Sequence, residues 1–480
     1  MGRSHVNYIS TRGTAPRLGF DGVLLAGLAR DGGLYLPESL PRLEPTAIAA
    51  LAGRPYADVA EALIAPFTGD CFAPGTLRAM TEEAYGAFRH PAVVPLSQLD
   101  ANLFLLEIFH GPTLAFKDIA MQLLGRMMQE VLGRSGRRTT IVGATSGDTG
   151  AAAIEAFRGL PAVDVFILYP HGRVSDVQRR QMTGVDAPNI HAVAIEGTFD
   201  DCQAIVKGMF NHHAFRDAMN LSGVNSINWA RVLAQLVYFF TGAVALGAPH
   251  RKLSFAVPPG NFGDVLAGWI AKGMGLPIER LVVATNENDI LTRCLATGAY
   301  EVQGVRPTQS PSMDIQVSSN FERLLFEAYG RDDAALRGLM ASLAQSGSFT
   351  VAPGPMARIR AEFDAVRVDE AGTQAEMTRS FREADVVLDP HTAVGVAAAR
   401  EALKRDPATP VVVLGTAHPA KFPDAVERAT GRRPPLPPHL ADLLERPERF
   451  TVLPNAVEAV EGFIRERSGG ASGATGEAAL

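Results

Sequence analysis

From about residue 100 to residue 415 the chain alternates between short apolar runs and longer stretches in which apolar residues return every three or four positions. The runs Leu103–Phe109, Thr139–Gly143, Val163–Leu168, His191–Ile195, Leu253–Val257, Leu281–Ala284, Val386–Leu388 and Val411–Leu414 read as strands. Several are continuously apolar and rich in β-branched residues, as strands covered on both faces are. Between them, Asp118–Leu132 places Ala120, Leu123, Leu124, Met127, Met128 and Val131 on one helical face. Asn228–Leu246, Phe262–Met274 and Thr392–Leu403 carry the same period. Strands alternating with helices predict an α/β fold with a mainly parallel sheet.

Residues 1–90 have a different texture, rich in Ala, Leu, Gly and Pro, with helices expected near Thr46–Leu51 and Ala57–Ala65. They are expected to form an N-terminal lobe that ends near Pro91–Pro95. A chain of 480 residues exceeds the roughly 250–300 residues at which a single core stops growing. Two further lobes are therefore expected, 91–250 and 251–450, the latter with a helical insertion near 330–385. The small, polar stretch 466–480 is expected to be a disordered tail.

Charge and cysteine content narrow the function. The sum of 45 basic and 51 acidic residues gives a net charge of −6, which excludes a nucleic-acid binder that relies on bulk positive charge. Cys71, Cys202 and Cys294 stand far apart, with no C-x-x-C and no H-E-x-x-H spacing, so no metal site is expected. The start of the chain lacks the apolar core of a signal peptide. The most apolar stretch, Val232–Ala248, includes Gln235 and Thr241 and is shorter than the roughly 20 residues of a membrane span, so a buried helix is expected. These features point to a cytoplasmic protein without a membrane segment. Lysine is rare beside arginine; the lysines are Lys117, Lys207, Lys252, Lys272, Lys404 and Lys421. Where a primary amine is required, arginine cannot substitute, since it is not deprotonated in proteins.

Two glycine-rich segments stand where a strand hands over to a helix: Gly143–Gly150 and Pro258–Asp264. Glycine lets the backbone turn and approach a ligand, and a helix start presents unpaired N–H groups and partial positive charge. Together these make an anion site. Neither segment is a P-loop or a dinucleotide fingerprint. Each is equally read as a tight turn, but two of them suit a phosphorylated cofactor and an anionic substrate. Lys117, after the Gly111–Pro112 turn and at the mouth of an amphipathic helix, is the candidate amine; the bland alternative is a solvated lysine beside Asp118. A lysine starts near a pKa of about 10.4 and needs help from its surroundings to act as base or nucleophile near neutrality.

Seven segments in order carry a family resemblance: Gly27–Pro37 (GLARDGGLYLP), His110–Asp118 (HGPTLAFKD), Thr145–Gly150 (TSGDTG), Asn225–Arg231 (NSINWAR), Pro259–Asp264 (PGNFGD), Ser312–Arg323 (SMDIQVSSNFER) and Thr416–Phe422 (TAHPAKF). Over residues 5–430 the chain resembles threonine synthase of the bacterial and fungal type. The resemblance implies two open twisted, mainly parallel sheet lobes of the tryptophan-synthase-β-like fold (type II among pyridoxal phosphate enzymes) with an added N-terminal lobe. It implies pyridoxal 5'-phosphate as cofactor, and O-phospho-L-homoserine and water as substrates of a small-molecule enzyme, monomer or homodimer. It implies Lys117 as the Schiff-base lysine, with Phe116 before it, and Gly260, Asn261, Phe262, Gly263 and Asp264 as the cradle of the cofactor phosphate. It implies Thr416 as the hydroxyl partner of the pyridine nitrogen and Asp148 near the cofactor's 3-hydroxyl. Many relatives of this fold carry Asn where this chain has Asp148. Ser146, Gly147 and Thr149 would take the substrate carboxylate; Ser226, Arg231 and Asn261 its phosphate. Arg231 is also open to reading as part of a structural ion pair, Thr416 as a helix cap, and His418 and Lys421 as turn-shaping residues.

The expected reaction is γ-elimination of phosphate followed by addition of water at Cβ. Lys117 would act as base and proton shuttle, and Arg231 would steady the leaving phosphate. Closure between the lobes carrying Thr145–Gly150 and Pro259–Asp264 is expected, with Thr11, Arg12 and Gly13 helping. Three rival readings remain at this point. They are a related phospho-lyase releasing 2-oxobutyrate, a non-catalytic phospho-ligand binder on the same fold, and a nucleotide-binding oxidoreductase, which the missing fingerprint disfavours.

Overall fold

Continuous apolar runs form strands because their side chains fill both faces of a sheet, and the amphipathic segments between them supply the helices that cover those faces. The computed structural model describes residues 6–469. Within them the chain divides into two compact units. One gathers the residues up to Val23 with Leu28–Ala120 and Ser226–Pro435; the other gathers Leu24–Gly27, Met121–Asn225 and the described residues from Leu436 onward. This division cuts across the linear boundaries expected near residues 90 and 250. Each unit draws on segments distant in sequence, and strand pairing between distant segments leaves no trace in local patterning.

The first unit is built on a six-stranded sheet in the order Phe363–Arg367, Ile278–Thr285, Leu253–Val257, Val411–Gly415, Leu103–Glu107, Leu96–Asp100. Its neighbours run parallel except for the last pair, which is antiparallel. Leu253–Val257 and Val411–Gly415 are buried along their whole length. Helix Pro390–Arg405 contributes Ala393, Val394, Val396 and Ala399 to the same core cluster as Leu103, Leu105, Ala256, Val282 and Val413. Three adjacent parallel strands thus end on one edge, and from that edge leave the segments that contain Lys117, Thr416 and Gly260. In an open α/β sheet that edge is where ligands bind.

The second unit has a five-stranded parallel sheet in the order Thr451–Pro454, Ile190–Glu196, Val163–Pro170, Thr139–Ala144, Leu221–Ser222. Val163–Pro170 is buried at every position, and Val460 and Ile464 from helix Val457–Arg467 join its core.

Two expectations are corrected. Val386–Leu388 is not a strand; it lies between helices Glu370–Ala384 and Pro390–Arg405, and its side chains pack against the core from a loop. Its apolar character serves burial, and Asp389 and Pro390 beyond it start a helix rather than continue a strand. The stretch near 330–385 holds helices Asp333–Ser346, Pro353–Glu362 and Glu370–Ala384, but also strand Phe363–Arg367 on the sheet edge. Of the expected tail 466–480, Glu466 and Arg467 belong to helix Val457–Arg467; everything beyond residue 469 lies outside the described residues. The apolar stretch at Val232–Ala248 falls largely in helix Trp229–Ala245. No helix among the described residues is long and apolar enough to cross a membrane.

Candidate active site

The site in the first unit starts with the turn that delivers Lys117. After strand Leu103–Glu107 the chain turns at Gly111, where an added Cβ would lie 2.4 Å from the Asp118 side chain. Only glycine allows that approach. Asp118 then fixes the loop: one carboxylate oxygen accepts the Thr113 backbone N–H at 2.8 Å and the other the Thr113 hydroxyl at 2.7 Å. Lys117 opens helix Lys117–Ser135 and is buried, with its Nζ 4.7 Å from the centre of the Phe116 ring. A solvated surface lysine is therefore excluded.

The segment before Lys117 pairs with the segment after strand Val411–Gly415. Phe116 donates its N–H to the Thr416 carbonyl at 2.9 Å, His418 donates to the Leu114 carbonyl at 3.0 Å, and Ala115 and Ala417 form an antiparallel bridge. Two of the seven motifs are thus one structural element. Lys421 is buried and donates from Nζ to the Thr113 carbonyl at 2.7 Å, and His418 accepts the Ala420 N–H at Nδ1. Both residues shape this turn. The Thr416 hydroxyl oxygen is buried and has no hydrogen-bond partner within the protein. A buried, unsatisfied hydroxyl costs about 1–3 kcal/mol and calls for a ligand atom to complete it.

The Pro258–Asp264 loop leaves strand Leu253–Val257. Gly260 has φ +45° and Phe262 φ +64°. A left-handed backbone is rare for an aromatic residue, and the surroundings enforce it. The Phe262 ring is buried against Phe321 and Phe363, with centroids 5.4 and 6.1 Å away, so Phe262 serves the loop through its backbone. The Ser318 hydroxyl donates to the Gly260 carbonyl at 3.0 Å, and Asn320 donates to the Asn261 carbonyl from its backbone at 3.1 Å and its side chain at 3.2 Å. With the loop's carbonyls tied back, helix Gly263–Gly273 starts immediately after it, and such a start favours an anion; the Phe262 N–H is held by the Pro259 carbonyl at 2.8 Å and the Val265 N–H by the Asp264 carboxylate at 2.9 Å. The side-chain amide of Asn320 also reaches the Ser226 carbonyl at 3.0 Å. Ser318 and Asn320 thus hold two candidate anion-binding segments together; the motif containing them was legible, but this role was not.

Arg231 lies in helix Trp229–Ala245 and is 2% exposed. Burial pulls its guanidinium down to about 10, and a negative charge on nearby Asp264 works against that. Asp264 is buried as well; burial pushes its carboxyl up to about 7, although its own N–H, the Val265 N–H, Lys117 and Arg231 all favour the charged form. Desolvation outweighs them. Between about 4 and about 7 the folded protein holds a proton at Asp264 that the unfolded chain has released, so this group makes stability fall as pH rises through that window. Asp264→Asn is expected to remove that slope. Urea midpoints of the ligand-free protein from pH 4 to pH 7 should show the variant gaining on the wild type as pH rises; a constant gap would exclude the titration.

The second unit carries Ser146, Gly147, Asp148 and Thr149 on the turn after strand Thr139–Ala144. The Thr145 hydroxyl accepts the N–H groups of Gly147 at 2.9 Å and Gly150 at 3.0 Å. Gly147 has φ +142°, and a Cβ there would lie 2.5 Å from the Gln178 side chain. Gln178 in turn donates to the buried Asp148 carboxylate at 2.9 Å.

The first unit therefore brings together Lys117, Phe116, Gly260–Asp264, Ser226, Arg231 and Thr416. Thr11 and Arg12 are fastened in the same unit: the Thr11 hydroxyl donates to Glu322 at 2.6 Å, and Arg12 binds both Glu322 oxygens at 3.2 and 3.1 Å. The sequence reading missed Asp389, His391 and Thr392, which lie behind Thr416. The available signal was an Asp-Pro-His-Thr run at the start of an apolar helix.

A phosphorylated ring with an aldehyde fits these residues: a buried amine at Lys117, a helix start after a tied-back glycine loop, and the unsatisfied Thr416 hydroxyl. Comparison with known proteins agrees. Residues 7–85 match the family model described as the threonine synthase N terminus, 89–417 that of pyridoxal-phosphate dependent enzymes, and 392–464 that of the threonine synthase C-terminal region. Threonine synthase of Pseudomonas aeruginosa is 52% identical over 462 residues, 96% of this chain and 98% of that one. Among solved structures, PLP-bound threonine synthase from Brucella melitensis superposes with a TM-score of 0.94 at 59% identity, covering 97% of this chain and 100% of that one. Yeast threonine synthase does so with 0.91 at 38%, covering 97% and 99%. With matches of this extent along nearly its whole length, the chain belongs to the threonine synthase family of pyridoxal-phosphate-dependent enzymes.

Proposed function

We propose that the protein converts O-phospho-L-homoserine and water to L-threonine and phosphate. The observation that carries this reading is the edge of the six-stranded sheet, where a buried lysine, an unsatisfied threonine hydroxyl and a tied-back glycine loop leave three adjacent parallel strands. When bound, the cofactor supplies an aldehyde for the Lys117 amine and a conjugated ring that accepts the electrons left at the substrate Cα. The N–H groups of Gly260, Asn261 and Gly263 would hold its phosphate, those of Phe262 and Asp264 being engaged by the Pro259 carbonyl and the Asp264 carboxylate, and the Thr416 hydroxyl would meet its ring nitrogen.

A hydroxyl, unlike a carboxylate, leaves that nitrogen largely unprotonated, which suits elimination and addition better than transamination. With the cofactor bound, Lys117 Nζ would take the substrate Cα proton and move protons for the later steps. A further proton leaves Cβ as phosphate departs from Cγ. The Arg231 guanidinium, with Ser226 and Asn261, receives that phosphate, since a planar fork of N–H donors matches phosphate geometry. Within the second unit, the helix start at Ser146–Thr149 is itself a candidate site for a carboxylate. A proton is then returned to Cγ to complete the methyl group, water adds its hydroxyl at Cβ, and a proton is returned to Cα. We place the activity in the cytoplasm; no disulfide joins Cys71, Cys202 and Cys294, as suits a reducing compartment.

The deciding experiment incubates purified protein with O-phospho-L-homoserine and measures both products. Threonine and phosphate should accumulate one to one. Accumulation of 2-oxobutyrate and ammonia instead would overturn the reading.

A further inference from the structure

Asp389 caps helix Pro390–Arg405 and is 1% exposed. One carboxylate oxygen accepts the His391 backbone N–H at 2.9 Å and contacts His391 Nδ1 at 2.8 Å; the other accepts the Thr392 N–H at 3.3 Å and the Thr392 hydroxyl. The direction of each bond follows from the next group along. Ser312 donates its N–H to His391 Nε2 at 3.1 Å, so that nitrogen is an acceptor and the ring proton sits on Nδ1, pointing at Asp389. Thr416 donates its N–H to Thr392 Oγ1 at 3.1 Å, so the Thr392 hydroxyl keeps its lone pair for Thr416 and spends its proton on Asp389. Thr416 then accepts the Phe116 N–H at its carbonyl, one residue before Lys117.

The same carboxylate thus reaches toward two parts of the site. One path runs through Thr392 to the backbone of Thr416 and on to Phe116. The other runs through His391 to Ser312, whose carbonyl lies 3.5 Å from where a Cβ of Gly260 would stand. Asp389, His391 and Thr392 are all at most 3% exposed. A helix cap needs a single acceptor; this carboxylate takes four donors, two of them side chains that pass the constraint onward.

We propose that Asp389 is a positioning residue for the cofactor, acting through Thr392 to hold the Thr416 hydroxyl at the ring nitrogen and the Lys117 segment at the aldehyde. The proposal rests on the reading of Lys117 and Thr416 given above. The test is Asp389→Asn. Asparagine caps a helix as well as aspartate does, so the cap survives. Its amide N–H group, however, must face either the His391 Nδ1–H or the Thr392 hydroxyl. The ring cannot change tautomer without turning an N–H on Ser312, and on the other side the amide would face the Thr392 backbone N–H, which cannot accept.

Cofactor-free wild type and variants are titrated with pyridoxal 5'-phosphate, followed by protein fluorescence and by the visible absorption of the lysine-linked cofactor. Asp389→Asn should weaken binding by about tenfold or more and shift the visible band. Thr392→Val should do the same, and Thr392→Ser should restore wild-type behaviour. A merely structural role would lower the melting temperature and leave the dissociation constant and the band unchanged. Wild-type affinity and spectrum in a folded Asp389→Asn or Thr392→Val protein overturns the proposal. If Asp389→Asn does not fold, the Thr392→Val and Thr392→Ser pair decides; if neither Asp389→Asn nor Thr392→Val folds, the network is a folding element and the proposal falls. Wild type that takes up no cofactor at Lys117 defeats the functional reading instead, so the two failures are distinct.

Discussion

Lys117→Ala is expected to lower threonine formation from O-phospho-L-homoserine by a factor on the order of 10⁴ or more while leaving the protein folded. On the proposed mechanism one amine would both hold the cofactor and move the substrate's protons, and a positioned acid–base group alone is worth about 10²–10⁴. The fold should survive for local reasons. Lys117 is the first residue of its helix, alanine is the best helix former, and the turn in front is held by Asp118 and by the pairing with Thr416–His418 rather than by the lysine side chain. The variant should show no visible band from a lysine-linked cofactor. Borohydride followed by peptide mapping should label Lys117 in the wild type and nothing at that position in the variant. Lys117→Arg should be equally inactive, because a guanidinium does not lose its proton under these conditions. Substantial threonine formation by Lys117→Ala would end the mechanism.

Arg231→Met should cost both activity and stability, and the two losses should be separable. For activity, removing the donor proposed for the departing phosphate is expected to lower kcat/KM by about 10²–10³ and to weaken inhibition by inorganic phosphate. For stability, Arg231 is one of two charges that pull the buried Asp264 carboxyl down against burial. Without it, Asp264 holds its proton to higher pH, so the stability loss should be small near pH 6 and grow above pH 7. Breaking a buried pair by removing one partner costs about 3–5 kcal/mol when the other stays charged. The double variant Arg231→Met, Asp264→Asn should recover stability and not kcat/KM. Denaturant midpoints and steady-state kinetics on the three proteins form the cycle that reads this coupling. Recovery of both quantities together would reduce Arg231 to a structural ion pair, the alternative that its sequence context left open.

The interior strands were legible from sequence because burial on both faces writes a continuous apolar run, as at Leu253–Val257 and Val411–Gly415. The edge strands were not. Phe363–Arg367 and Thr451–Pro454 are half-exposed, with mixed polarity that resembles a loop. Val386–Leu388 shows the opposite error, since an apolar run can serve a core from a loop. Lys117, Thr416 and the Gly260 loop announced themselves by motif, but their partners did not. That HGPTLAFKD and TAHPAKF form one ladder depends on strands about 300 residues apart lying side by side. Asp389 left no local signal of its role, because its link to Thr416 through Thr392 joins segments separated by strand Val411–Gly415.

The pairing of Leu103–Glu107 with Val411–Gly415 also sets a timetable for the newborn polypeptide. At roughly 5–20 residues per second, the ribosome needs roughly 15–60 s after making the first strand before the second exists. Meanwhile strands from Thr139–Ala144 to Leu221–Ser222 emerge in one uninterrupted block and already hold four places of their own sheet. The interior portion of the gene product is thus free to settle first. The segment bearing the reactive amine waits, its apolar edge open to wrong partners, for a late arrival to claim it.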